Sequence, residues 1–214
     1  MYELFEIESA ALLPDIIEQH KTELKGLNVT IPHKQSVISF LHEIDSAANQ
    51  IGAVNVIKIL EDGRLKGFNS DYYGFLESLK NMISDFSDKK ALILGTGGAS
   101  KAVKTALEDL DITYQYVSRV SSKNTLSYEE VTEDIISEYH IIINTTPLGM
   151  YPNTDKCPEL PYEAITSNHF LFDLVYNPIS TKFMQLGEKR GATVKNGLEM
   201  LELQAEKAWE IWNN

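Results

Sequence analysis

The chain has 214 residues, 43% of them hydrophobic, which supports one or two globular domains with a sizeable core. Its 31 acidic and 19 basic residues give a net charge of −12, which argues against a general nucleic-acid or membrane surface. The single cysteine, Cys157, excludes an internal disulfide and a cysteine-rich metal site. No apolar run is long enough to span a bilayer and no secretory signal is recognisable, so we expect a cytoplasmic protein.

The first third of the chain alternates short strands and helices. Strands are predicted over 2–7, 27–31, 53–60 and 65–68, and helices over 12–24, around 37–44 and from residue 71 onward. The dipeptide Asp62-Gly63 is typical of a hairpin turn, because glycine readily adopts positive φ. Pro32 closes the second strand because proline has no N–H to donate to a ladder.

A polar stretch over 81–90 marks a domain boundary. A strand at 91–94, a glycine turn, a helix over 99–110 and a strand at 113–117 then form a βαβ unit. Further strands are predicted at 141–143, 170–176 and 192–195, and a last helix over 197–212. We therefore predict an α/β protein with a first domain over 1–84, a second over 85–196 and a C-terminal helix over 197–214.

The glycine turn contains Gly95, Thr96, Gly97, Gly98 and Ala99. Small residues let the backbone bend sharply and let a pyrophosphate approach the N–H groups of a helix N-terminus. Ser100 stands where the third glycine of the usual dinucleotide motif would be, and a turn of purely structural use is the alternative.

The strand that follows ends in Ser118 and Arg119, where an NAD enzyme usually carries an acidic residue for the ribose. A guanidinium with nearby hydroxyls suits a 2′-phosphate instead. We therefore expect NADP rather than NAD, with a solvated loop cation as the alternative reading of Arg119.

Lys34 follows the strand that Pro32 closes, and small ligands bind at strand ends in α/β proteins. A lysine there can donate a charged hydrogen bond or a proton to a substrate oxygen. Taken alone, however, such a lysine is more often a surface cation. Asp71 begins an apolar-periodic helix, where a carboxylate also interacts favourably with the helix dipole.

Seven segments in this order resemble the shikimate dehydrogenase family. They are residues 28–34 (NVTIPHK), 51–55 (IGAVN), 69–71 (NSD), 95–99 (GTGGA), 143–150 (INTTPLGM), 173–178 (DLVYNP) and 197–204 (GLEML with Gln204). The resemblance implies an N-terminal mixed or parallel α/β substrate domain, a Rossmann-like NADP-binding domain, and a C-terminal helix that returns to the substrate domain. It also implies NADP-dependent reduction of 3-dehydroshikimate to shikimate in aromatic amino-acid biosynthesis.

The resemblance further implies a role for individual residues. Lys34 and Asp71 would be the catalytic pair. Substrate would be contacted by Thr30, Asn55, Tyr176 and Gln204. Cofactor would be contacted by Gly95, Thr96, Gly97, Gly98 and Ala99 at the pyrophosphate, by Ser118 and Arg119 at the 2′-phosphate, and by Met150, Val175 and Gly197 near the nicotinamide. No metal is expected, the partners are small molecules, and a homodimer is the candidate assembly.

Two features depart from the family pattern. The family begins with a strand and a loop whose Ser-x-Ser pair binds the substrate carboxylate, whereas this sequence starts after that point. The stretch from 119 to 141 is also short, so we expect a cofactor domain trimmed on that side. Three hypotheses stay open: an active shikimate dehydrogenase, a quinate/shikimate dehydrogenase, and a catalytically impaired NADP-binding relative with a regulatory or interaction role.

Overall fold

The computed structural model describes residues 2–21 and 23–214, and the chain packs into two compact units. Unit 1 is Met1–Ser70 together with Ala205–Asn214, and unit 2 is Asp71–Gln204. The C-terminal residues thus return to the first unit, as the predicted α/β fold requires. The predicted domain limits at residues 84 and 196 stay a prediction.

Unit 1 is built on a small mixed sheet. Its elements are α1 (Leu13–His20), β1 (Gly26–Asn28), β2 (Glu43–Ile44), α2 (Ser46–Ile51), β3 (Val56–Ile59) and β4 (Leu65–Phe68). Among the described residues the strand order is β1-β3-β4-β2, with β3 antiparallel to both neighbours and β2 parallel to β4. The predicted hairpin at Asp62-Gly63 is confirmed, and Gly63 takes a φ of 84° that favours glycine.

The predicted strand over 2–7 is wrong, since no residue from 2 to 7 belongs to a strand. Side-chain contacts hold this segment instead: the Tyr2 ring lies 6.1 Å from the Trp212 ring, and the Phe5 ring 5.1 Å from that of His20. An alternating apolar pattern makes a strand only where another strand offers a hydrogen-bonding edge, and this segment pairs with none. Its alternating side chain Leu4 is accordingly 85% exposed.

The predicted helix around 37–44 is also wrong. A short 3₁₀ helix, Ser36–Phe40, is followed by extended backbone at Leu41 and then by β2. Tertiary pairing decides the difference, because Ile44 lies beside Gly67 of β4 and takes strand conformation there. The helix α2 was not predicted, although the sequence contains residues typical of helix ends. The Asp45 side chain accepts from Ala47 N at 3.1 Å and caps the N-terminus, and Gly52 ends the helix with a φ of 68°.

Unit 2 contains a parallel sheet that is covered on both faces. Its elements are α3 (Ser70–Met82), β5 (Lys90–Leu94), α4 (Gly98–Asp109), β6 (Thr113–Ser118), β7 (Thr125–Ser127), α5 (Glu133–Glu138), β8 (Ile141–Asn144), β9 (Phe170–Asp173), α6 (Lys182–Glu188), β10 (Thr193–Lys195) and the first part of α7 (Leu198–Asn213). From Ala205 onward α7 belongs to unit 1. Within the described chain the order is β7-β6-β5-β8-β9-β10, and every neighbouring pair is parallel. This is the doubly wound order, with its topological switch point between β5 and β8.

Strand alternation divides the core of unit 2 into two layers. Ala91 and Ile93 of β5 pack in one layer with Phe75 of α3 and Val103 of α4. Leu92 and Leu94 face the other layer, which contains residues of α5 and α6. A strand buried on both faces reads as a continuous apolar run, which is why its position was predictable.

The stretch between β6 and β8 is partly as expected. No helix lies between β6 and β7, which are joined by residues 119–124 alone. The third strand is nevertheless present as β7, whose Ser127 lies beside Ser118. The connection from β6 to β7 is therefore a short loop, and both strands lie in the parallel sheet.

Candidate active site

Asn55 is the hydrogen-bonding hub of one end of the unit 1 sheet. It is 5% exposed, its Oδ1 accepts from Ser70 N at 2.7 Å, and its Nδ2 donates to Ser70 Oγ at 3.1 Å. The buried Asn69 donates from Nδ2 to the Ala53 carbonyl at 3.0 Å. These bonds between neutral groups hold the segment before β3, which contains Asn55, against the segment after β4, which contains Ser70.

The loop after β1 reaches the same end of the sheet. Val29 N donates to the Asn55 carbonyl at 2.8 Å, and Val54 N donates to the Lys34 carbonyl at 2.7 Å. Thr30 is exposed and Lys34 is half-buried. The structure therefore brings three of the predicted residues, Thr30, Lys34 and Asn55, to one sheet end in unit 1.

Asp71 lies in the first turn of α3, half-buried, and belongs to unit 2. Gly74, one turn further on, lets α7 approach closely, because a Cβ there would lie 2.5 Å from the Met200 carbonyl oxygen. The same Cβ would lie 3.1 Å from Cβ of Gln204. The predicted substrate residue Gln204 thus packs against α3, whose first turn contains Asp71.

The glycine turn joins β5 to α4 as predicted. Gly95 has a φ of 102°, and a Cβ there would meet Thr145 Oγ1 and Thr146 Cγ2, both at 2.9 Å. A Cβ on Gly97 or Gly98 would meet nothing within 4 Å, so the space before the helix N-terminus is open. Exposed Thr96 and Ala99 flank this opening, which fits a pyrophosphate.

Ser118 and Arg119 lie at the carboxyl end of β6. Arg119 is exposed, and its charge acts on the neighbouring Tyr128, which follows β7. Burial raises the pKa of the Tyr128 phenol, and the Arg119 guanidinium opposes that rise. An exposed guanidinium at this strand end suits a phosphate on the ribose of a bound dinucleotide.

The ends of β8 and β9 carry the residues predicted to lie near the nicotinamide. Val175 is buried, and its carbonyl accepts from Gly197 N at 3.2 Å. Met150 and Tyr176 are each 48% exposed on the two loops, which are linked by a bond from Tyr151 N to the Asn177 carbonyl at 3.2 Å. The structure thus brings Val175 and Gly197 into contact and places Met150 and Tyr176 on adjoining loops.

Asp173 is the last residue of β9 and lies in the matched segment 173–178, but the sequence analysis assigned no role to it. Asp173 is fully buried, and it accepts from Asn144 Nδ2 at 2.9 Å, Val175 N at 3.0 Å and Thr181 Oγ1 at 2.5 Å. Burial raises the pKa of Asp173 to about 6, against the lowering effect of these three donors. The sequence feature that could have indicated Asp173 is an acidic residue at the end of an apolar strand.

In the described part of the chain, no group of three or more His, Cys, Asp or Glu side chains is arranged to hold a metal ion. Across the same residues, no helix has both the length and the apolar character needed to cross a membrane.

Comparison with known proteins identifies the family. Residues 1–57 match the family model described as the shikimate dehydrogenase substrate binding domain. A protein named shikimate dehydrogenase (NADP(+)) from Clostridium beijerinckii is 45% identical over 219 aligned residues, covering 99% of this chain and 80% of the relative. The chain belongs to the shikimate dehydrogenase family.

Solved structures of shikimate dehydrogenases share the fold. A chorismate mutase/shikimate 5-dehydrogenase fusion protein from Clostridium acetobutylicum matches with a TM-score of 0.86 and 35% identity, covering 100% of this chain and 80% of that one. A shikimate dehydrogenase in complex with NADP+ matches with a TM-score of 0.83 and 33% identity, covering 97% of this chain and 77% of that one. The predicted fold class is confirmed, whereas the roles of individual site residues stay predictions.

Proposed function

We propose that this chain catalyses the NADP-dependent, reversible reduction of 3-dehydroshikimate to shikimate. The observation that carries the proposal is the 45% identity to an NADP-dependent shikimate dehydrogenase across 99% of the chain. Similarity of this extent over both units favours a working dehydrogenase over an impaired binding relative. In aromatic amino-acid biosynthesis such an enzyme reduces a ring ketone to a hydroxyl group.

Lys34 and Asp71 are the proposed catalytic pair. When bound, NADPH supplies the hydride that adds to the ketone carbon of the substrate. Negative charge then develops on the ketone oxygen, and the Lys34 ammonium stabilises that charge and donates a proton to it. In the reverse direction the neutral Lys34 amine left by that donation accepts the hydroxyl proton, and the proposed role of the Asp71 carboxylate is to orient a substrate hydroxyl.

Substrate binding is assigned to Thr30, Asn55, Tyr176 and Gln204. Support comes from the shared location of Thr30 and Asn55 at the sheet end that also carries Lys34, and from the exposed hydroxyl groups of Thr30 and Tyr176. Because Asn55 already bonds to Ser70 through both side-chain atoms, it is held in one orientation before any ligand arrives.

Cofactor binding is assigned to the carboxyl edge of the unit 2 sheet. The open space at Gly97 and Gly98 supports a pyrophosphate site, and the exposed Arg119 supports a 2′-phosphate site. Sheet order places β6, which carries Arg119, on one side of the switch point and β9 on the other. A dinucleotide binds across such a switch point, with its two halves on opposite sides.

The test is a four-way rate comparison with purified protein: shikimate or quinate as substrate, each with NADP+ or NAD+. The proposal expects the highest kcat/KM for shikimate with NADP+. A preference for quinate would instead support a quinate/shikimate dehydrogenase, and cofactor binding without turnover of either substrate would overturn the proposal.

Two further points belong to this proposal. A homodimer is the proposed assembly, and light scattering of the purified protein measures it. A cytoplasmic location is proposed from the family and from the single cysteine, and fractionation of cells that express the chain tests it.

A further inference from the structure

Asp173 is the centre of a buried hydrogen-bond network in unit 2 that the proposed mechanism does not use. The network joins three segments: the loop after β8, the loop after β9 and the N-terminus of α6. Asn144, Asp173 and Thr181 are all fully buried. A buried polar network of this kind holds its members in one geometry only when each donor has an acceptor.

The first branch of the network holds the loop after β8. Asn144 Nδ2 donates to Asp173 Oδ1 at 2.9 Å and to the Leu148 carbonyl at 3.3 Å. Asn144 Oδ1 in turn accepts from Thr146 N at 3.0 Å and from Thr146 Oγ1 at 2.6 Å. The carboxylate therefore fixes the loop that leads to Met150.

The second branch holds the loop after β9. Val175 N donates to Asp173 Oδ1 at 3.0 Å, and the Val175 carbonyl accepts from Gly197 N at 3.2 Å. A Cβ on Gly197 would lie 2.2 Å from the Leu174 carbonyl oxygen, so the two backbones are in close contact. One carboxylate oxygen thus determines the positions of Val175 and, through it, Gly197.

The third branch anchors the carboxylate itself. Thr181 Oγ1 donates to Asp173 Oδ2 at 2.5 Å and also accepts from Met184 N at 3.4 Å, which caps α6. Both carboxylate oxygens are thereby occupied. Asp173 cannot rotate without breaking bonds to three segments.

We propose that Asp173 is a positioning residue that holds the nicotinamide half of the bound cofactor by fixing the two loops that contact it. The proposal rests on the proposed function for the assignment of that half to Met150, Val175 and Gly197. It does not concern the adenosine half, because β9 and β6 are separated by three strand spacings, roughly 14 Å.

Stability alone does not account for a carboxylate at this place. Burial raises the pKa of Asp173 to about 6, so the ionised side chain is held there at a cost in folding free energy. The three donors explain why the carboxylate is needed: an acceptor-only group with two oxygens satisfies them all.

The test compares binding of NADP+ with binding of 2′,5′-ADP, which contains only the adenosine half. Asp173→Ala is expected to weaken NADP+ binding at least 10-fold while 2′,5′-ADP binding changes less than 2-fold. Asp173→Asn, which keeps an oxygen for Asn144 and Val175, is expected to restore most of the NADP+ affinity. If Asp173→Ala does not fold, Thr146→Val is measured instead, with an expected loss of about 3-fold for NADP+ alone, since it breaks one branch only.

His169→Ala is the matched control, because His169 is a buried hub that precedes the same strand. It bonds to Thr166 N at 3.0 Å and to the Ile136 carbonyl at 2.9 Å. This variant is expected to be less stable yet to bind both ligands as the wild type does. Equal loss of both ligands in the Asp173 or Thr146 variants, or no loss of either, would overturn the inference.

The hydride-transfer step gives a second readout. With 4-deuterated NADPH, the kinetic isotope effect on kcat is expected to rise in Asp173→Ala, because a poorly placed ring slows the chemical step. The binding experiment needs no turnover. A wild-type protein that binds NADP+ but does not oxidise shikimate would therefore count against the proposed function and leave the binding result to decide the role of Asp173.

Discussion

The strand ends of the two units are held by different chemistry. In unit 1, Asn55 fixes Ser70 through neutral amide and hydroxyl groups. In unit 2, the Asp173 carboxylate fixes Asn144, Val175 and Thr181. The neutral network does not titrate near neutral pH, whereas the carboxylate does. The Asn55–Ser70 bonds in unit 1 should therefore be insensitive to mild acid, and the Asp173 network in unit 2 should respond to it.

The largest expected effect separates chemistry in unit 1 from cofactor binding in unit 2. Lys34→Ala should lower kcat by roughly 10²-fold or more, because the proton donor is lost. NADP+ affinity, measured by titration, should stay near that of the wild type. Lys25→Ala is the control, since Lys25 is an exposed lysine before β1 whose Nζ donates to Asn213 Oδ1 at 3.3 Å. Comparable kcat in Lys34→Ala and wild type would contradict the assignment.

The pH dependence of stability tests whether Asp173 in unit 2 titrates as its pKa predicts. The pKa of Asp173 is about 6 in the folded protein and roughly 3.9 when unfolded, so between these values the folded state binds more protons. The free energy of unfolding, relative to Asp173→Asn, should therefore fall by about 2 kcal/mol as pH rises from 4 to 7. Denaturant unfolding at several pH values measures this difference, and a constant difference would contradict the prediction.

Asn55→Ala tests the neutral Asn55–Ser70 bonds of unit 1 by the same measurement of unfolding free energy. The change leaves Ser70 N and Oγ without the bonds they make in a buried site, which should cost about 2 kcal/mol of unfolding free energy. That cost should be the same at pH 4 and pH 7, because the Asn55 amide and the Ser70 hydroxyl do not titrate in this range. Asn49→Ala, an exposed change on α2, should cost much less. If the loss of unfolding free energy in Asn55→Ala varied with pH, the proposed difference between the Asn55 bonds and the Asp173 network would be contradicted.

Arg119→Ala gives the smallest effect and sharpens the cofactor assignment. Losing one charged hydrogen bond to the 2′-phosphate should weaken NADP+ binding by roughly 10-fold and NAD+ binding very little. The control is Arg190→Ala, an exposed arginine 4.0 Å from Glu163. If NAD+ and NADP+ affinities fell equally, Arg119 would have no role specific to the phosphate.

The sheets also differ in how far the sequence predicts them. In unit 2, β5 is a continuous apolar run and α4 has regular apolar spacing, so both were placed within a residue or two. The strand predicted over 170–176 ends earlier, at Asp173, and β7 was not predicted. In unit 1 the segments over 2–7 and 37–44 have apolar patterns that local reasoning assigned wrongly. Their structure depends on which strand edge is available, and that is a tertiary property.

The same distinction applies to the candidate site. The glycine turn and Asp71 were recognisable because their residue types stand at the beginning of a helix. Lys34 was recognised from its segment, although β1 ends at Asn28 and not at the predicted residue 31. Asp173 was not singled out, because its importance comes from Asn144 and Thr181, which lie 29 and 8 residues away in the chain. A hub of this kind becomes visible only when its partners have been brought together by folding.

The most direct measurement of the central claim is product formation from shikimate and NADP+ by the purified protein. NADPH absorbance and mass spectrometry of 3-dehydroshikimate should show the two products in equal amounts with wild type and a large loss of both with Lys34→Ala. A wild-type protein that binds NADP+ but forms neither product would contradict the account.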